Sequence, residues 1–116
     1  AEIVVKNSLQ LEGLKGVILE TYGAGNAPTD TWFIDALTEA IKKGIIIYNV
    51  TQCKGGAVDM GKYETSVKLS QIGVVGGYDI TTESAVAKMM YLLAQDISHD
   101  EIIRLLQVSL RGELTA

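Results

Sequence analysis

The run I-I-I-Y-N-V, residues 45–50, decides how the rest of the chain is read. It is β-branched, apolar almost throughout, and too short for an amphipathic surface helix, so it reads as a strand buried on both faces. Before it, Phe33, Ile34, Leu37, Ala40 and Ile41 recur at the 3.6-residue helical period, with Thr29 or Asp30 placed to cap the helix start and Gly44 placed to end it. Before that helix, L-K-G-V-I-L-E-T, Leu14 to Thr21, reads as another strand; its Val17-Ile18-Leu19 stretch predicts burial on both faces. The order is strand, loop, helix, strand.

The same logic extends outward. Ile3, Val4, Leu9 and Leu11 form a helical stripe that ends at Gly13. After residue 50, a loop T-Q-C-K-G-G-A-V-D-M-G-K-Y (51–63) leads into a short helix from Tyr63 to Ile72, closed by Gly73, and Val74-Val75 offers a short third strand. A long helix starting between Asp79 and Thr82 carries Ala85, Val86, Met89, Leu92 and Leu93 on its apolar side, with Met90 and Tyr91 expected in or near the core. Ser98 with Glu101 three residues later predicts a capping box for a last helix bearing Ile102, Leu105 and Leu106. Alternating strands and helices predict an α/β fold: a small, open, flavodoxin-like parallel layer of three or four strands with flanking helices. Ligands of such sheets sit beyond the carboxyl ends of the strands, where the segments 23–29 and 51–63 both begin.

Composition narrows the function. The 116 residues fit one domain, 1–116, and the chain is 47% hydrophobic with a net charge of -4. Acidity and scattered Lys and Arg argue against a nucleic-acid or membrane partner, and no apolar run approaches the roughly 18 residues of a span. The one cysteine, Cys53, excludes an internal disulfide and suits a reducing compartment, while a single histidine, His99, makes a zinc centre a poor expectation. The chain opens A-E-I-V-V-K-N-S-L-Q without an initiator methionine, and residues 1–12 read as a connecting helix in a piece cut from a longer chain.

Candidate chemistry collects in the loops. G-A-G-N-A-P (23–28) begins like a dinucleotide fingerprint, but Pro28 stands where a third glycine or alanine belongs, and no lysine makes it a phosphate loop. It is either a glycine-rich connector or a site that presents Asn26, whose amide both donates and accepts. Cys53, beside Lys54, is a reactive thiol or an inert small hydrophobe. Tyr63 is a hydrogen-bonding phenol or a half-buried surface tyrosine, and His99 reads as a solvated first-turn residue. L-R-G-E-L-T (110–115) mixes an apolar anchor with Arg111 and Glu113, which chemistry alone does not explain.

Taken in order, T-Y-G-A-G-N-A-P, N-V-T-Q-C-K-G-G-A-V, G-V-V-G-G-Y-D-I-T-T-E-S-A-V-A-K and L-R-G-E-L-T resemble the C-terminal domain of type I, cytoplasmic, bacterial L-asparaginases. The likeness runs from Leu14 to Thr115. It implies hydrolysis of asparagine to aspartate and ammonia by a threonine nucleophile, without a cofactor, in homodimers or homotetramers. It also implies that the nucleophile lies in an N-terminal domain preceding this one, so no catalytic residue is assigned here. Thr29-Asp30-Thr31 spells a T-D-T motif of the family, but at a helix start of the wrong domain. By the resemblance, Gly25, Asn26 and Tyr63 reach a neighbouring protomer's substrate, and Pro28 replaces a second asparagine of extracellular relatives. Thr51 and Cys53 match an effector-site loop, and Glu20 on the first strand stands where those enzymes carry an arginine, which implies weak or absent activation by asparagine. Two other readings fit less well. A phosphotransfer receiver needs paired acids after the first strand, where Glu20 and Thr21 stand, and a phosphocysteine module needs its thiol there, not after the second strand; a pure interaction module is contained in the asparaginase reading.

Overall fold

The computed structural model describes residues 7–21, 31–51 and 64–114. Three strands, β1 (Gly16–Thr21), β2 (Ile46–Thr51) and β3 (Val75–Gly76), pair in parallel in the order β1-β2-β3. The helices are α1 (Thr31–Lys42), α2 (Glu64–Ile72), α3 (Thr82–Leu93) and α4 (His99–Leu106), and residues 7–9 are also helical. Among the described residues the strand count is therefore three, the lower of the two expected numbers.

Alternation along β2 builds two cores. Ile45 and Ile47 point to one face with Phe33, Leu37 and Ala40 of α1, Leu69 of α2, Leu9 and Val74. Ile46, Tyr48 and Val50 point to the other, with Ala85, Met89 and Leu92 of α3, Ile102 and Leu106 of α4, and Leu114. Both β-to-β crossovers thus run over one face, and same-handed crossovers on one face step a sheet in a single direction. That gives β1-β2-β3, with no reversal of order among the described strands and so no switch point of the dinucleotide-binding kind between them.

Several residues depart from expectation, each for a geometric reason. Val17, Ile18 and Leu19 touch both cores but are only half-buried, because β1 lies at the sheet edge while β2 is central. The first strand starts at Gly16, not Leu14; a side chain at 16 would meet Met89 Sδ at 3.0 Å, so glycine lets α3 lie close over the edge strand. The third strand shifts by one residue, with Val74 turned to the α1 face. Leu11 is 64% exposed and Leu9 is the buried residue among 7–13, while Ile3 and Val4 of the expected stripe lie outside the described residues.

On α3 the inward face is Ala85, Lys88, Met89 and Leu92. At 100° per residue, Val86, Met90 and Tyr91 fall off that face, and Met90 is 68% exposed. Ser98 caps α4 by accepting from the Glu101 N–H at 3.1 Å, but the Glu101 carboxylate pairs forward with Arg104 and does not close a capping box. No helix among the described residues is long and apolar enough to cross a membrane.

Candidate functional site

Thr21 and Thr51, the last residues of β1 and β2, are register partners, so the chain leaves both strands side by side at one edge of the sheet. The apolar row Ile45, Ile47 turns polar there at Asn49, which is fully buried. Thr21 Oγ1, also buried, donates to Asn49 Oδ1 at 3.0 Å and lies 3.3 Å from the Val50 carbonyl. The next connection is made by backbone: the Gly77 N–H donates to the Asn49 carbonyl at 2.9 Å, extending the ladder past β3. One residue therefore links three strand ends.

Gly77 is held by its surroundings. A Cβ there would lie 2.7 Å from Ile80 Cγ2, 3.1 Å from the Asn49 carbonyl and 3.2 Å from the Tyr48 ring. Tyr78 follows in the left-handed region at φ 58, with the turn closed by the Ile80 N–H on the Gly77 carbonyl at 3.1 Å. Beyond the edge, Glu20 is exposed and pairs in register with Val50.

A second polar cluster lies across the opposite core. Lys88 is buried, donates to the Val108 carbonyl at 2.6 Å and pairs with Glu113 at 2.5 Å. Glu113 also accepts the N–H groups of Leu110 at 2.9 Å and Arg111 at 2.6 Å. Burial alone would raise the Glu113 carboxyl, but the hydrogen bonds from Lys88 and from these backbone groups outweigh it and hold the group at about 2. Nearby, Tyr48 donates to the Leu106 carbonyl at 2.6 Å, and its phenol is pushed well above the ordinary range by burial and then by the charge of Glu113. These contacts explain L-R-G-E-L-T: Glu113 and buried Leu114 fasten the segment after α4, while Leu110 is exposed. The segment and α3 border a groove of about 330 Å³ that includes Ala87, Tyr91, Leu110 and Arg111. Another, of about 510 Å³, runs along α1 past Trp32, with solvated Asp35, Glu39 and Lys43.

The described part of the edge brings together a hydroxyl already donating, a buried amide and an exposed carboxylate. Such a set can fix strand ends and receive hydrogen bonds, but it does not hold a nucleophile beside a base. No group of three or more His, Cys, Asp or Glu among the described residues could hold a metal. Of the residues singled out from sequence, Glu20 and the backbone of Thr51 lie at this edge; Gly25, Asn26, Cys53 and Tyr63 lie outside the described residues. His99 is exposed at the start of α4. Two residues were missed. Asn49 was signalled by an amide inside an apolar strand, and Lys88 by a lysine three residues after Ala85 and next to Met89 on the inward face.

The described part is a three-stranded parallel layer with a buried polar pair near the ends of β1 and β2 and a second polar cluster that fastens the segment after α4. Residues 2–106 match the family model of the glutaminase/asparaginase C-terminal domain, and the chain belongs to that family. It is 44% identical to L-asparaginase 1 of Escherichia coli strain K12 over 112 residues, 97% of this chain and 33% of that protein. It is 42% identical over 103 residues to the 60 kDa lysophospholipase of Mus musculus, covering 88% of this chain and 18% of that one. The crystal structure of L-asparaginase I from Vibrio cholerae O1 biovar eltor superposes with a TM-score of 0.92 at 42% identity, over 100% of this chain and 35% of the other. The chain spans about a third of the length of these two asparaginases.

Proposed function

We propose that this domain works as the C-terminal part of a cytoplasmic L-asparaginase that hydrolyses L-asparagine to L-aspartate and ammonia. The observation that carries the proposal is similarity along nearly the whole chain, 44% over 97% of it, to a protein named L-asparaginase 1. In this reading the threonine nucleophile belongs to an N-terminal domain, and no cofactor takes part. Gly25, Asn26 and Tyr63 reach a neighbouring protomer's substrate in a homodimer or homotetramer. The parallel ends of β1 and β2 support that division of labour, because both segments that bear these residues start from adjacent strand ends. Glu20, Thr51 and Cys53 correspond to an effector loop, and the carboxylate of Glu20 would repel that of asparagine by about 1 kcal/mol if partly desolvated, leaving little activation.

A second reading has its own support, the 42% identity to a protein named a lysophospholipase. One experiment separates the two. This chain replaces the matching third of the E. coli L-asparaginase 1, and the chimera is assayed for ammonia from asparagine and glutamine and for fatty acid from a lysophospholipid. Ammonia from asparagine supports the proposal. A folded, assembled chimera that releases no ammonia overturns it.

A further inference from the structure

The pair Thr21–Asn49 takes a hydroxyl and an amide out of water inside an otherwise apolar sheet face. Both side chains lie on the sheet face that Ile45, Ile47, Val17 and Leu19 make apolar, and both are withdrawn from water. Two aliphatic residues would fill the same place without desolvating a hydroxyl and an amide. What aliphatic contact lacks is direction. A hydrogen bond of 3.0 Å between side chains two register positions apart, shared with the Val50 carbonyl, fixes the offset between the last residues of β1 and β2. The Asn49 carbonyl meanwhile takes the Gly77 N–H, and Gly77 is packed so closely against that carbonyl that no side chain fits.

We infer that Thr21 and Asn49 are positioning residues, a crossbar that sets the relation between the carboxyl ends of β1 and β2 and so tunes substrate binding at that edge. The inference rests on the asparaginase function proposed above. Neither residue touches substrate; each acts through the strand ends that lead to the proposed contacts. Displacing such contacts by fractions of an ångström weakens binding before it alters the chemistry performed elsewhere.

The test uses the chimera, with Thr21→Val, which keeps the shape and removes the hydroxyl, and Thr21→Ser, which keeps the donor. The expected result for Thr21→Val is a KM for asparagine raised about five- to tenfold with kcat within about twofold, and a return toward the parent KM in Thr21→Ser. A role in stability alone lowers the melting temperature and the active fraction but leaves KM unchanged, and that result overturns the inference. Amide hydrogen exchange on the same proteins gives a readout independent of catalysis. Thr21→Val should speed exchange at Gly77 and Thr51 about tenfold or more while Ile47 and Tyr48 stay protected. Unchanged or uniformly faster exchange also overturns the crossbar. A parent chimera without asparaginase activity overturns the function proposed above, and the exchange measurement then decides the crossbar by itself.

Discussion

Lys88 Nζ lies 2.5 Å from Glu113 Oε2, and this contact between a buried lysine and a half-buried carboxylate fastens the segment after α4 to α3. The ammonium is also spent on the Val108 carbonyl, and the carboxylate on the N–H groups of Leu110 and Arg111. Removing Glu113 strands a buried ammonium, whereas removing Lys88 leaves a half-buried carboxylate held by backbone groups alone. Lys88→Met should therefore destabilise the domain by about 1–3 kcal/mol in denaturant unfolding. Adding Glu113→Leu should recover part of that loss, but not all, since the backbone groups of Leu110 and Arg111 lose their acceptor. Equal stability of Lys88→Met and the parent would contradict the pairing.

The same carboxylate predicts an acid response. Its folded value of about 2 lies below the ordinary 4.5, so its contribution is complete above about 4.5 and disappears as pH falls through about 2. At neutral pH that amounts to about 3 kcal/mol as an upper figure. Thermal unfolding followed between these pH values should show a steep loss of stability in the parent and a flatter profile in Glu113→Gln. Parallel profiles would remove Glu113 from the account.

Tyr48→Phe tests the link from β2 to α4. The phenol is fully buried and donates at 2.6 Å to the Leu106 carbonyl, which the variant leaves without that donor. A loss of about 1–3 kcal/mol is expected, with the fold intact by circular dichroism.

Gly77→Ala tests close packing at the strand ends. The added methyl meets Ile80 Cγ2 at 2.7 Å and the Asn49 carbonyl at 3.1 Å, so the turn at Tyr78 must move. The expected cost is about 1–3 kcal/mol, and no loss of stability would show that the turn yields freely.

How much of this was legible in the sequence follows from which signals are local. Periodicity placed β2, α1 and α3 within a residue or two, because Ile45–Val50 and the Phe33–Ile41 pattern each reflect burial by a single element. It could not say that β1 is an edge strand, since Val17, Ile18 and Leu19 look equally apolar whichever strand is central. Apolar character also misled at Val86, Met90 and Tyr91, which face outward while Lys88 turns in: a hydropathy pattern cannot foresee that Glu113, 25 positions later, will neutralise a buried lysine. Asn49 was overlooked for the same reason, as its partner Thr21 lies 28 residues away. The proposed site rests on resemblance alone, because Gly25, Asn26 and Tyr63 form no local pattern that names a substrate and lie outside the described residues.

Regulation gives a further expectation. With Glu20 exposed at the end of β1, an asparaginase carrying this domain should show a hyperbolic dependence of rate on asparagine. Clear sigmoidicity in steady-state kinetics would contradict the role given to that carboxylate.

The central claim, that this domain completes the active site of a neighbouring protomer, is tested most directly by subunit complementation. One inactive chimera lacks the threonine nucleophile of its N-terminal domain; the other carries Asn26→Ala with Tyr63→Phe. Dissociated, mixed in equal amounts and reassembled as two-fold dimers, they place one intact shared site in each hybrid, so about a quarter of the parental activity should return. Hybrids that form but stay inactive would show that each site is built within a single protomer, contrary to the proposed function.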